Sequence, residues 1–513
     1  MDTPTATPSM LGDQDDSPAA LAIKAGDLEK LELLIAAGAR LDYVSRGNYD
    51  AAIDAACTRD RSSLMPLFKR LIAANVRLDR ESDYRESALR ILSREGRFDA
   101  VRLLLEAGAP EWHLAWTPLI RAAAIGTLDE LREAIESAAT LETVDHWSRT
   151  AFQVAILSGD VAKAFLLLDG GANPDVRGRC GQPLLACAVE SGSAEMLRWT
   201  IEMGAEIDAQ DQFGHTPLHT AAEHGNAEAV SILLEFGADW RVSAGHETPL
   251  GATRSRVVAE LLMSAGADPR DLTREARRAM LGLPEEEDLS LLKASQREFD
   301  LGRSPRFGRS NPELMQAPFW EGMIRSGVSG YSGAAKYGAG GKPPQPVWCA
   351  QRFGQSFTPL PDGRIVEIGG EHEDFYDPDF CIYNDVFVHS PGGEFRIYGY
   401  PEAIFPPTDF HTATLIGDSI YIVGSLGYMG SRGYGTTPVF RLDTRTFAIE
   451  RITAAGQAPG WIHGHRAKQA GGAEIAIEGG SILHDDGKER WASNDCRYLL
   501  DVRRRRWRVA ETR

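Results

Sequence analysis

The sequence predicts a multidomain α plus β chain, with an α-helical repeat solenoid over the first half and an all-β repeat module over the last third. Three observations predict it. A helix-ending glycine recurs at Gly126, Gly159, Gly192 and Gly225, a step of 33 residues. After Val347, three short alternating apolar segments run into glycine, and their doublet position falls at 370, 425 and 480, a step of 55. Between the two patterns lies YSGAAKYGAGGKPPQP, a stretch in which neither period continues. The expected organisation is a disordered tail over 1–16, a solenoid over 17–270, a connector over 271–345 and a β module over 346–513.

Composition narrows the function classes. The chain has 513 residues, 43% apolar and 25% charged, which suits soluble protein of two or more domains. Its formal charge of −18 argues against nucleic acid or an anionic membrane surface as partner, since both need a basic face. The run Arg503–Arg506 is expected to be the solvated end of a strand. Six scattered cysteines with no CxxC pair form neither a disulfide framework nor a zinc site. The polar, acidic N-terminus lacks a signal-peptide core, and no apolar run reaches membrane-spanning length. A cytoplasmic protein without a cofactor is the expectation.

The solenoid is read from one complete unit, AQDQFGHTPLHTAAEHGNAEAVSILLEFGAD, ending at Asp239. Asp211 and Gly214 shape a tight turn, and Thr216-Pro217 opens a short helix with proline in its first turn. Ala221 and Ala222 leave room for a neighbouring helix, and Gly225 ends the first helix in the left-handed conformation. Val230, Leu233 and Leu234 give the second helix an apolar face. This unit resembles the ankyrin repeat. Eight units start near Ser17, Asp50, Ser87, Thr117, Thr150, Pro183, Thr216 and Thr248. A second closing glycine follows twelve residues after the first at Gly38, Gly108, Gly171, Gly204 and Gly237. Asn75 and Ala138 replace it in two units, with asparagine able to keep the left-handed turn.

From Arg270 the period stops. Two helical stretches follow, and the cluster PFWEGMI, with Phe319 beside Trp320, is too apolar for a free tether. In the last third, RIVEIGG, SIYIVGS and EIAIEGG are each followed by a loop and a second β run. Asp443 and Asp501 turn the chain after two of those runs, and the aromatics Phe447 and Trp507 follow. This arrangement resembles the kelch repeat, which implies a partial propeller, or one completed by the connector or by a second chain.

An ankyrin resemblance implies protein binding through hairpin tips and the concave face of the first helices. The tip positions hold Trp112, Trp116, His146, Trp147, Arg149, Arg177, Arg179, Phe213 and Trp240. Aromatics and arginine dominate interface energetics, although a tip tryptophan can also pack beneath its neighbour. No metal is expected. The one cluster with ligand chemistry is EHEDFYDPDF, where His372, Glu373 and Asp377 would be the ligands. Glu373 and Asp377 fit two positions of the Glu-x3-Asp-x3-His iron motif of some plant kelch proteins, and Cys381 stands at the third. His463 and His465, two apart, would share a strand face and approach His411. No complete catalytic motif is present. The expected function is a protein–protein interaction scaffold or adaptor whose β module adds a second surface and allows self-association. Two alternatives stand beside it: an enzyme or metal-binding protein with its site in the β module, and an immunity-type or regulatory inhibitor.

Overall fold

The computed structural model describes residues 17–45, 47–58, 62–245, 247–284, 286–339, 346–372, 380–485 and 489–510. The tail expected over 1–16 and the glycine- and proline-rich 340–345 lie outside them. The chain forms two compact units that divide between Ala252 and Thr253.

The first unit is a stack of helix pairs, from Pro18–Ala25 and Leu28–Ala36 to Pro217–Glu223 and Ala227–Glu235, closed by the single turn Pro249–Ala252. Six of the pairs start at a residue that caps the first helix, while the pair after Pro183 starts without a side-chain cap. Ser17, Asp50, Ser87, Thr117, Thr150 and Thr216 each accept a first-turn backbone N–H through a side-chain oxygen. From Pro118–Ile125 to Pro217–Glu223, each first helix lies against the next. Ala151, Ala155, Ala221 and Ala222 are fully buried there, small enough to let backbones approach. Gly225 (φ 65°) and Asn75 (φ 55°) adopt the expected left-handed turn. Gly126 does not: it is extended (φ −79°, ψ 179°), and its carboxyl-side helix begins at once with the capping box of Thr127 and Glu130. Ala138 is extended as well, so the fourth pair ends without a left-handed closure.

The C-terminal region is β-rich, as expected, and the second unit also takes in the helices that precede it. Helices Arg256–Ser264, Arg274–Met280, Gln296–Gly302, Pro318–Ser326 and Gly330–Lys336 belong to the same compact body as the strands. The reason lies in their apolar faces. Phe299, Phe319 and Trp320 are buried, and Trp320 stacks on Trp348 with ring centres 4.7 Å apart. The strands form three antiparallel meanders. The first joins Ser356–Pro359, Ile365–Ile368, Val386–His389 and Phe395–Gly399. The second joins Thr412–Ile416, Ser419–Val423, Val439–Asp443 and Ile449–Arg451. The third joins Arg466–Gly471, Glu474–Glu478, Tyr498–Asp501 and Arg506–Val509. Their opening strands lie side by side, first against second and second against third.

The repeated positions have visible causes. At Gly369 (φ 58°) a Cβ would lie 2.1 Å from the Thr408 carbonyl oxygen, so only glycine lets the chain pass there. Asp443 and Asp501 each accept two backbone N–H groups of the turn that follows. Phe447 and Trp507 are buried beneath those turns. Arg503 to Arg506 are exposed, as a solvated turn entering the last strand. Among the described residues, the sheets close into no barrel or propeller. The stretch considered as a source of further strands supplies only Glu313–Leu314, which pairs with the outer strand of the first sheet. His463 and His465 also depart from expectation, since the strand ends at His463 and Gly464 (φ 64°) breaks the alternation.

Candidate partner-binding surface

Two of the hairpins between helix pairs are built by aspartate. Asp211 Oδ1 accepts the N–H groups of Phe213 and His215, both at 2.8 Å, and its own N–H donates to the His215 carbonyl. Asp145 does the same for Trp147 (2.8 Å) and Arg149 (2.9 Å). This closure aims the intervening residues outward, and Gly214 (φ 90°) completes the turn. Successive hairpins are tied through backbone, with Gln212 N–H donating to the Cys180 carbonyl at 3.0 Å.

The nine tip residues divide by environment. Trp112 is 66% exposed and stacks on His113, while Phe213 is 61% exposed. Arg177 and Arg179 are exposed, and Arg177 Nη1 donates to the Gln210 carbonyl of the next hairpin at 2.7 Å. These two arginines and Phe213 thus occupy neighbouring tips. His146 is exposed beside Trp147, and partial desolvation, then Arg90, holds its pKa below the usual value. Trp240 is half-buried under the Arg241 guanidinium, apart from the others.

Trp116, Trp147 and Arg149 are spent inside the stack. Trp116 is half-buried against Phe98. The Trp147 indole is buried and donates to the Arg90 carbonyl at 3.0 Å. Arg149 is buried with Asp145, at 3.0 Å through Nε and 2.6 Å through Nη2, and it reaches Ser93 through both the carbonyl and the hydroxyl. Trp147 and Arg149 therefore hold the hairpin down against the Arg90–Ser93 stretch of an earlier helix. Asp145 marks that fate, because its carboxylate sits four residues before Arg149 and satisfies it internally.

Beside the exposed tips runs a groove of about 250 Å³ lined by Arg179, Gln182, Glu190, Asp211, His215 and Glu223. Sequence reading from hairpin tips alone misses the helix members of this set. Ala186 and Glu190, like Thr220 and His224, stand four residues apart and share a helix face, which is the signal that would have found them. Glu190 is buried enough for its pKa to rise, while Gln182 Nε2 donates to it at 2.8 Å. The groove can accept hydrogen-bond donors and cations, and Phe213 and the arginines flank it.

Comparison with known proteins bears on this part of the chain. Residues 184–272 match the family model described as ankyrin repeats (3 copies). These are ankyrin repeats. The crystal structure of the ankyrin repeat domain of Bcl-3, a member of the IkappaB protein family, is similar at 24% identity. That likeness covers 49% of this chain and 99% of that one, with a TM-score of 0.23. No curated protein matches. Ankyrin repeats are typically modules of protein–protein interaction.

In the second unit, Glu373 and Asp377 lie outside the described residues, and His372 sits in the short strand Glu371–His372. Among the described residues, no three His, Cys, Asp or Glu side chains are grouped as metal ligands would be. No helix of the described residues is long and apolar enough to cross a membrane. The buried histidines join sheets: His411 Nε2 lies 2.9 Å from Ser356 Oγ, and His465 Nε2 lies 2.9 Å from Thr412 Oγ1. Burial, with Arg270 nearby, drives both pKa values down to about 3, so both rings are neutral at pH 7.

Proposed function

We propose that the chain is a protein-interaction scaffold of the cytoplasm whose ankyrin half grips a protein partner through the hairpins around Arg177, Arg179 and Phe213 and the groove beside them. The observation that carries this reading is the exposure of Phe213, on a hairpin closed by Asp211 and Gly214, next to two exposed arginines on the preceding hairpin. Rigid aromatic and arginine groups bind at small entropic cost, and such groups form the hot spots of interfaces. Trp112 and His146 extend the surface toward the N-terminus. The three meanders of the second unit are read as kelch-like units in an open array that offers a second surface. Their repeated glycine, aspartate-turn and aromatic positions support that reading.

The test compares the wild-type protein with the double variant Arg179→Ala, Phe213→Ala and with Glu202→Ala, whose site is exposed at the end of an outer helix. Partners are captured from the source cell and quantified by mass spectrometry. A partner retained by wild type and Glu202→Ala but lost by the double variant, at unchanged melting temperature, supports the reading. Equal capture by all three proteins removes this surface from consideration. Light scattering on the same samples reports whether the β-rich unit also self-associates.

A further inference from the structure

The second unit of this acidic chain contains a cavity of about 750 Å³ whose wall carries five arginines. Three of them, Arg274, Arg277 and Arg278, come from one face of the helix Arg274–Met280 at spacings of three and four residues. Arg270 and Arg352 approach from the turn before that helix and from the segment before the first sheet. The remaining wall is largely apolar, with Leu272, Leu281, Ile324, Phe387 and Phe410.

The charges are not equally engaged. Arg270 is paired with Asp268, Arg274 with Glu287 and Arg352 with Asp385. Arg278 is satisfied by backbone carbonyls of Pro284, Ile324 and Arg325. Arg277 has no ion pair among the described residues. It donates once, from Nη2 to the Pro269 carbonyl at 3.3 Å, and its guanidinium carbon lies 5.6 Å from the Phe357 ring centre. Its Nε is buried without a hydrogen-bond partner. Gln355 Nε2 and His411 Nδ1, on the same wall, are buried and unpartnered too. The one carboxylate on the wall, Glu367, is held by His389 Nε2 at 3.0 Å.

A half-buried guanidinium whose Nε is buried and without an acceptor is costly unless something accepts from it. Guanidinium groups match carboxylate and phosphate oxygens in a planar fork, and a cavity of this size holds a small molecule rather than an ion alone. We infer that the cavity binds a small organic oxyanion, a carboxylate or phosphate on an apolar body, with Arg277 as its principal anchor and Gln355 and Arg274 beside it. The apolar wall takes the body. This site is independent of the partner surface on the ankyrin repeats, and its failure would leave that surface untouched.

The probes are phenyl phosphate, benzoate and the uncharged benzyl alcohol, titrated into the full chain by calorimetry with melting temperature read in parallel. Wild type is expected to bind at least one anion saturably and to melt higher with it, and to ignore benzyl alcohol. Tighter binding of phenyl phosphate assigns a phosphate ligand, and tighter binding of benzoate a carboxylate. Arg277→Met removes a half-buried charge that has no ion-pair partner among the described residues, so it is expected to abolish anion binding while leaving the ligand-free melting temperature unchanged or raised. If that variant fails to fold, Arg277→Lys keeps the charge but loses the fork, and about tenfold weaker binding is expected. Arg445→Gln, at an exposed turn, is expected to bind as wild type does. Absence of saturable anion binding, or wild-type affinity in both Arg277 variants, overturns the inference.

Discussion

Arg149 shows how one side chain decides the fate of a hairpin. Its guanidinium and the Asp145 carboxylate are both buried, so removing the arginine strands a carboxylate inside the stack. Arg149→Met is expected to destabilise the solenoid by roughly 3–5 kcal/mol. Arg149→Lys should recover little of that, because an ammonium cannot serve Asp145 and Ser93 at once. Urea unfolding monitored by circular dichroism reads both, and a loss below about 1 kcal/mol for the methionine variant would contradict the argument. A pair of glycines offers a second residue-scale comparison. Gly237 and Gly369 both have positive φ, but an added Cβ meets nothing within 4 Å at Gly237 and the Thr408 carbonyl oxygen at 2.1 Å at Gly369. Gly237→Ala is therefore expected to cost about 1 kcal/mol through strain alone. Gly369→Ala should cost several times more, because backbone must move. Equal melting temperatures for the two variants would refute the steric account.

At the scale of elements, the opening strands of the three meanders are joined by His411 and His465. Both rings have folded-state pKa values near 3, pushed down chiefly by burial, against a usual value of 6.5. The unfolded chain binds more protons than the folded one between those values. The stability these groups contribute is thus full above pH 6.5 and is lost as the pH falls toward 3. Unfolding midpoints of the second unit should decline across that interval, and more steeply than in a His465→Gln variant, which has one titrating ring fewer. A flat profile in wild type would show that water reaches the rings. The same bonds explain why open meanders can stay in line without closing a ring: each histidine fixes one sheet to the next.

For the whole molecule, the net charge of −18 sets the outcome with polyanions. The protein is expected to leave a labelled DNA duplex unshifted at physiological ionic strength, and a salt-sensitive shift would expose a basic face that composition hides. Much of the architecture was legible because its punctuation is chemical. Capping oxygens at Ser17, Asp50 and Thr216 start helices, and left-handed glycines such as Gly225 end them. Environment was less legible than position. Arg149 and Arg179 occupy comparable hairpins, yet one is buried by Asp145 and Ser93 and the other is exposed, with its guanidinium over the Trp147 ring. The helices from Arg274 onward were expected as a connector because no local pattern announces that they share one compact body with the strands. The arginine-lined cavity stayed hidden for the same reason. Its helix face could be read from Arg274, Arg277 and Arg278, but most of the rest of its wall comes from several segments scattered between Ile324 and Gly464.

The rims of the three meanders carry a further consequence. Glu313–Leu314 covers the outer strand of the first, and Ala455–Gly456 lies parallel to that of the third. On the second, the Asn311 side chain imitates a strand, donating to the Ile449 carbonyl at 2.7 Å and accepting its N–H at 2.8 Å. Exposed rims are templates for fibril growth, so these few residues act as a safeguard against polymerisation. A protease cut near Asn311 would do its first harm as insolubility, before any binding activity was lost.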